Sequence, residues 1–389
     1  MTAQSTFVRI RRSAGLVALT LVLAACQTPA HDDLRQPSPP APALYPAGQS
    51  AHAVQHVDIG LGLYEIQALD ADALVAAASP SFEKGASGAL YFLDAQTLAV
   101  KDTVNVPRRS FAVGINRRTQ TIYVGNTLDG SLTVVDATTR AVTGTIQLGR
   151  AGAKGDVPHT RKVIVDEARN RVFVTSPGDA GKVWIIDGQT RQVRHTLNNL
   201  GRWTAGAAYD AQSDRLYVGQ GGTHEILAID PTRGRVVQRL STGDTTDARD
   251  AKHFMLNVAL DSATQRLFAT DSNTNRLYVF DLRTGKAVQQ VPLGKGALDV
   301  RFNAVRQEIY VTNRGAGHGD KSGTGALTIL DANNYAVKRT VDLPVHPNSL
   351  ALDDTGQVLF VTVKAPLDRD HPSYREGALD SVVRVPLNN

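Results

Sequence analysis

From about Ala53 to the C-terminus, short apolar runs alternate with polar turns, and one run recurs seven times. It reads Ile122-Tyr123-Val124-Gly125-Asn126, Val172-Phe173-Val174-Thr175, Leu216-Tyr217-Val218-Gly219, Leu267-Phe268-Ala269-Thr270, Ile309-Tyr310-Val311-Thr312-Asn313 and Leu359-Phe360-Val361-Thr362, with Leu74-Val75-Ala76-Ala77 as a weaker first copy. Its aromatic position advances from Tyr123 through Phe173, Tyr217, Phe268 and Tyr310 to Phe360 in steps of 50, 44, 51, 42 and 50 residues. Runs this short and this rich in β-branched and aromatic residues predict strands, and the period suits a four-stranded propeller blade. The expected fold is therefore all-β, a seven-bladed β-propeller of four-stranded antiparallel blades. The last copy supplies only three strands, so residues 54–59 are expected to add the outer strand of the last blade, closing the ring and leaving no open sheet edge.

A second run follows each copy and ends in aspartate, at Asp94, Asp136, Asp187, Asp230, Asp281 and Asp331, while the seventh, residues 382–385, is followed by Pro386. Each aspartate opens a turn such as Asp281-Leu282-Arg283-Thr284-Gly285, where its carboxylate is expected to accept backbone hydrogen bonds and fix the hairpin rather than do chemistry.

Tyr310-Val311-Thr312-Asn313 spells YVTN, and Tyr123 to Asn126 is a near copy. On these residues the chain resembles the YVTN-repeat, YncE-like β-propeller family over nearly all of its length beyond the N-terminal segment. The resemblance implies an exported protein that binds a partner, since DNA binding has been attributed to some members, and it does not imply catalysis. The motif itself makes strand and turn, so it speaks to fold far more than to function.

The N-terminus indicates the compartment. Arg9, Arg11 and Arg12 precede an uncharged run, residues 13–25, that is too short to span a bilayer. The run ends in Leu23-Ala24-Ala25-Cys26, which resembles a bacterial lipobox. Residues 1–25 are expected to be a lipoprotein signal peptide and Cys26 the lipidated residue, with Gln27 favouring the outer membrane and the protein expected to face the periplasm. Residues 26–52 hold Pro37, Pro39, Pro40, Pro42 and Pro46 among small and polar residues and read as an extended tether. Residues 53–389 are the propeller. Cys26 is the only cysteine, which leaves no disulfide, and no Cys-x-x-Cys-His is present for covalent haem.

The net charge of +5 includes three signal-peptide arginines; beyond residue 25 it falls to +2, 39 basic against 37 acidic residues. Any electrostatic case is thus local. In a propeller the loops entering each inner strand share a face with those leaving the second strand. Here they carry Arg108, Arg109, His159, Arg161, Lys162, Trp203, Lys252, His253, His346, Lys364 and Tyr374. Cations interleaved with aromatic rings suit an anionic ligand, with single-stranded nucleic acid, an anionic glycan or an envelope protein as partner. The expected function is a lipid-anchored binding or scaffold module with no cofactor.

A second reading starts from Glu65, Asn257, Asp299 and Asn348, oxygen donors near the start of four inner strands, which suit Ca²⁺. A comparable set serves propeller lactonases, so a Ca²⁺-dependent hydrolase is the alternative. Arg301, two residues beyond Asp299, is an equally natural partner for it. His159, His253, His318, His346 and His371 show no tight metal-ligand spacing. Gly315 to Ser322 approaches a phosphate-binding loop, but Asp320 replaces its required glycine.

Overall fold

The apolar runs form strands where the pattern places them. A computed structural model describes residues 54–81, 83, 85–152, 157–244, 252–315 and 323–387. All of these fall within one unit, Gln49–Asn389. Cys26, the signal-peptide and tether segments, and the loop holding His318 and Asp320 lie outside the described residues.

The chain opens with β1 (Gln55–Gly60). The first repeat is β2 (Leu63–Ala68), β3 (Ala73–Ala78), β4 (Gly88–Asp94) and β5 (Val100–Val106), and the second is β6 (Ser110–Asn116), β7 (Thr121–Asn126), β8 (Ser131–Asp136) and β9 (Val142–Gln147). Then come β10 (Lys162–Asp166), β11 (Arg171–Ser176), β12 (Lys182–Asp187) and β13 (Gln192–Leu197), followed by β14 (Thr204–Asp210), β15 (Arg215–Gln220), β16 (Glu225–Asp230) and β17 (Arg235–Ser241). The remainder is β18 (Met255–Asp261), β19 (Arg266–Asp271), β20 (Arg276–Asp281), β21 (Lys286–Pro292), β22 (Ala297–Asn303), β23 (Glu308–Asn313), β24 (Gly325–Asp331), β25 (Val337–Leu343), β26 (Pro347–Leu352), β27 (Val358–Val363) and β28 (Asp380–Pro386). No helix occurs among the described residues.

Successive strands pair antiparallel within each set of four. The sets β14 to β17 and β18 to β21 also touch edge to edge through one parallel bridge, Ser241 to Lys286. The last three strands take their fourth from the other end of the chain: β1 lies antiparallel to β28, from Gln55 opposite Arg384 to Gly60 opposite Asp380. The molecule is thus an all-β assembly of four-stranded antiparallel sheets, consistent with a β-propeller.

The recurrent aromatic explains how the sheets stack. Tyr123 packs with Val163, Val172 and Trp184 of the next sheet, Phe173 with Leu216 and Val218, and Phe268 with Val300 and Ile309. Tyr310 reaches Leu350 and Leu359, and Phe360 joins Leu63, Ile66 and Leu74 of the first repeat. Each ring is buried, a gain of about 1.5–3 kcal/mol apiece. Third strands such as β8 are buried, whereas outer strands such as β5 alternate exposed and half-buried positions.

The turn aspartates behave as expected. Asp94 Oδ1 accepts from the backbone N–H of Gln96 and Thr97, Asp136 from Thr138 and Thr139, Asp187 from Gln189 and Thr190, and Asp331 from Asn333 and Asn334. Asp281 accepts from Arg283 and Thr284, and Asp230 from Arg233. Four residues beyond the aspartate the chain turns left-handed: at Gly285 φ is +71°, and Leu98, Arg140, Arg191 and Tyr335 adopt the same hand despite their side chains.

Candidate functional site

Antiparallel register places the start of each first strand beside the end of the second, with Leu63 opposite Ala78, Lys162 opposite Thr175 and Pro347 opposite Val363. Loops entering first strands and leaving second strands therefore share one end of the sheets. The first strands also pack on one another, β2 on β6, β6 on β10, β18 on β22 and β22 on β26, so residues from distant repeats meet there.

At the centre of this end Tyr64 of β2 and Phe111 of β6 stack with ring centroids 4.1 Å apart and planes 32° from parallel. Lys364, just beyond β27, sets its Nζ 3.8 Å from the Tyr64 ring centroid, and the Arg161 guanidinium carbon lies 4.7 Å from that of Phe111. Neither cation fits between rings this close, so each covers the outer face of its ring, an arrangement in which ring quadrupoles attract cations. Burial raises the Tyr64 pKa, against the opposing pull of the charges of Arg109, Arg161 and Arg314.

Among the described residues, Glu65 and Asp380 are the carboxylates within ion-pair distance of Arg161, Lys162 and Lys364, and both are engaged. Glu65 accepts from Lys162 Nζ at 2.9 Å and from the Val113 N–H at 3.3 Å, with Arg161 3.5 Å away. Asp380 accepts from the N–H groups of Leu63 and Ala365, both at 2.8 Å, with Lys364 Nζ at 3.5 Å. Arg314 donates to Asn348 Oδ1 at 3.2 Å, has no carboxylate within ion-pair distance among the described residues, and keeps a buried Nε without a hydrogen-bond partner. Burial and then neighbouring Arg161 lower its pKa. Burial likewise lowers the Lys364 pKa against the pull of Asp380. His159, lowered by burial and by Arg109, bonds Thr127 Oγ1 at 2.9 Å; His346 is lowered by burial and then by Arg314, His371 and Lys364. Among the described residues, Arg161, Lys162, Arg314 and Lys364 thus outnumber the carboxylates within ion-pair distance of them.

The structure brings together Arg109, His159, Arg161, Lys162, His346 and Lys364 from the sequence-derived set, and places the others elsewhere. Arg108 points outward and pairs with Asp129 at 3.0 Å. Trp203 stands 43 % exposed with its ring 5.6 Å from Phe254. His253 is fully buried, its ring nitrogens 2.6 Å from Asp271 and 2.9 Å from Asp244, and Lys252 holds the same Asp244 at 2.6 Å. His253 and Lys162 thus brace the loops rather than face solvent, because each sits beside a buried carboxylate that the sequence did not reveal as its partner. Tyr374 lines a cavity of about 240 Å³ with Leu61, Pro80, Lys364, Leu367 and Arg375. Tyr64, Phe111, Arg314 and Asp380 went unread. Arg314 carried a signal, since it directly follows the YVTN strand and so had to sit on the rim.

The oxygen donors of the alternative reading have other engagements. Glu65 is paired as above; Asn257 donates to the Leu298 carbonyl at 2.9 Å; Asn348 accepts from Arg314. Asp299 and Arg301 do not pair with each other but grip opposite sides of one residue on β26, Asp299 accepting the Leu350 N–H at 2.8 Å and Arg301 donating to its carbonyl at 2.9 Å. Among the described residues no group of three or more histidines or carboxylates is placed to hold a metal.

No family model matches the chain. A protein of Salmonella typhimurium named YncE is 32 % identical over 332 residues, spanning 85 % of this chain and 89 % of the relative. The YncE protein of Escherichia coli K12 is 32 % identical over 342 residues, 87 % of this chain and 92 % of its own length. With similarity over most of both chains, this chain belongs to the YncE family.

Proposed function

We propose that this chain is a seven-bladed β-propeller, tethered to the cell envelope through Cys26, that binds an anionic partner on the rim around Tyr64. The pairing of β1 with β28 and the packing of β2 against β26 support closure of the ring. The binding reading is carried by one observation. Arg161, Lys162, Arg314 and Lys364 gather at this end, and among the described residues the carboxylates within ion-pair distance of them are Glu65 and Asp380, so these four cations outnumber their acids. Such a field draws in anions and holds them more strongly than open solvent allows. Single-stranded nucleic acid, an acidic glycan or an acidic protein surface meets that requirement, with the exposed Trp203 and Phe254 as an aromatic platform.

The test is titration of the full-length protein with oligothymidylate and with heparin across a range of salt. Binding that weakens log-linearly with salt, and whose slope falls when Arg109 and Arg161 are replaced by glutamine, fits the reading. Absence of binding to either polymer at low salt rejects it.

A further inference from the structure

The cationic rim contains one group that the fold leaves unserved. The Arg314 guanidinium donates to Asn348 Oδ1, a neutral amide, and among the described residues this is its one side-chain hydrogen bond. A buried polar group without a partner is costly, and a guanidinium with a buried, unbonded Nε is more so. Arg161, which acts on Arg314 as a like charge, adds to that cost. The natural remedy is an oxyanion, whose paired oxygens match the guanidinium fork.

The same geometry says what part of a ligand enters. Lys364 and Arg161 cover the outer faces of the Tyr64–Phe111 stack, so those rings offer no free face to a base or a sugar. A polymer backbone offers phosphodiesters flanked by bulky residues on both sides, whereas a chain end or a small molecule offers a compact, fully exposed group. We propose that Arg314, with Arg161, forms a site for one terminal oxyanion, a phosphate monoester or a carboxylate. This inference rests on the anionic-partner reading and narrows it from a charged face to a discrete site.

The experiment uses the full-length protein, wild type and Arg314→Gln, in thermal-shift and calorimetric titrations. The probes are inorganic phosphate, succinate, and oligothymidylates of one length ending in either a 5′-phosphate or a 5′-hydroxyl. The expected results are a saturable stabilisation by phosphate or succinate, at least tenfold tighter binding of the phosphate-ended oligonucleotide if phosphate is the preferred group, and loss of these increments in Arg314→Gln. That variant should also melt no lower than wild type without ligand, since it removes an unserved charge; a clear drop would mark Arg314 as a structural brace and overturn the proposal. A response to phosphate alone identifies a phosphomonoester, and to succinate alone a carboxylate. If both oligonucleotides bind equally and neither small anion stabilises the protein, the site is refuted while the charged-face reading stands. If nothing binds, both fall.

Discussion

The Glu65–Lys162 pair allows a quantitative prediction. Both side chains are only 4 % exposed and meet at 2.9 Å, so each charge depends on the other for stabilisation. Replacing one partner leaves a buried charge uncompensated, which typically costs about 3–5 kcal/mol. Glu65→Gln keeps an acceptor for Lys162 and Val113, so its cost should lie at the lower end, about 3 kcal/mol. Lys162→Met should cost about 2 kcal/mol, because Arg161 at 3.5 Å and the Val113 N–H still serve Glu65. The double substitution removes both charges from the low-dielectric site and should cost no more than about 2 kcal/mol, a coupling of about 3 kcal/mol. Equilibrium denaturation in urea, followed by intrinsic fluorescence, measures all four proteins provided the slopes agree. Additive single costs, with a coupling below about 0.5 kcal/mol, would refute the claim that these charges are buried as a pair. The double variant leaves the net charge of the rim unchanged, so its affinity for an anionic polymer should stay within about twofold of wild type.

Stability should also vary with pH through His253. Burial lowers its pKa, but hydrogen bonds to Asp271 and Asp244 outweigh this and raise it. The resulting stabilisation is complete below the unfolded value of about 6.5 and is lost as pH rises through the folded value. Asp271 runs the other way: burial opposes its ionisation, yet the His253 bond and backbone donors lower its pKa, so its contribution is lost as pH falls through that lowered value. Melting temperature measured across pH should decline on both sides, and His253→Asn should flatten the alkaline side; an unchanged alkaline slope would contradict the assignment. Gly285→Ala forces a side chain into φ +71° and should cost about 1–2 kcal/mol by chemical denaturation, while an unchanged midpoint would show that the turn has moved. Cys26→Ser should abolish incorporation of a clickable palmitate and release the protein from membranes; continued labelling would remove the tether from the proposal.

Much of the fold was legible because each four-stranded repeat is local in sequence. The spacing of Tyr123, Phe173, Tyr217, Phe268, Tyr310 and Phe360 records the interval between sheets, and each turn aspartate bonds within its own loop. The residues 54–59 strand appeared one residue later than expected, as Gln55–Gly60, because pairing with β28 sets its bounds. The site was less legible because its partners are far apart in sequence. Lys162 is a loop-edge lysine in sequence but meets Glu65, 97 residues away. His253 meets Asp271, whose carboxylate occupies the strand-end position that asparagine holds at Asn126 and Asn313. Arg301 and Asp299 share a face of β22, yet both reach to Leu350 on the neighbouring strand β26.

The pairing of β1 with β28 makes completion of the fold an all-or-nothing event for the polypeptide. The strand synthesised first among the repeats waits for Asp380–Pro386, synthesised last, and Asp380 also captures the Leu63 N–H, 317 residues away. Until then β1 is an unpaired edge available to any other strand. A nascent or truncated chain that stops before β28 therefore exposes a standing signal of incompleteness near its N-terminus, open to proteases and chaperones. Fusions that obstruct either terminus should fail at this same junction, and peptides that mimic β28 should rescue chains that lack it.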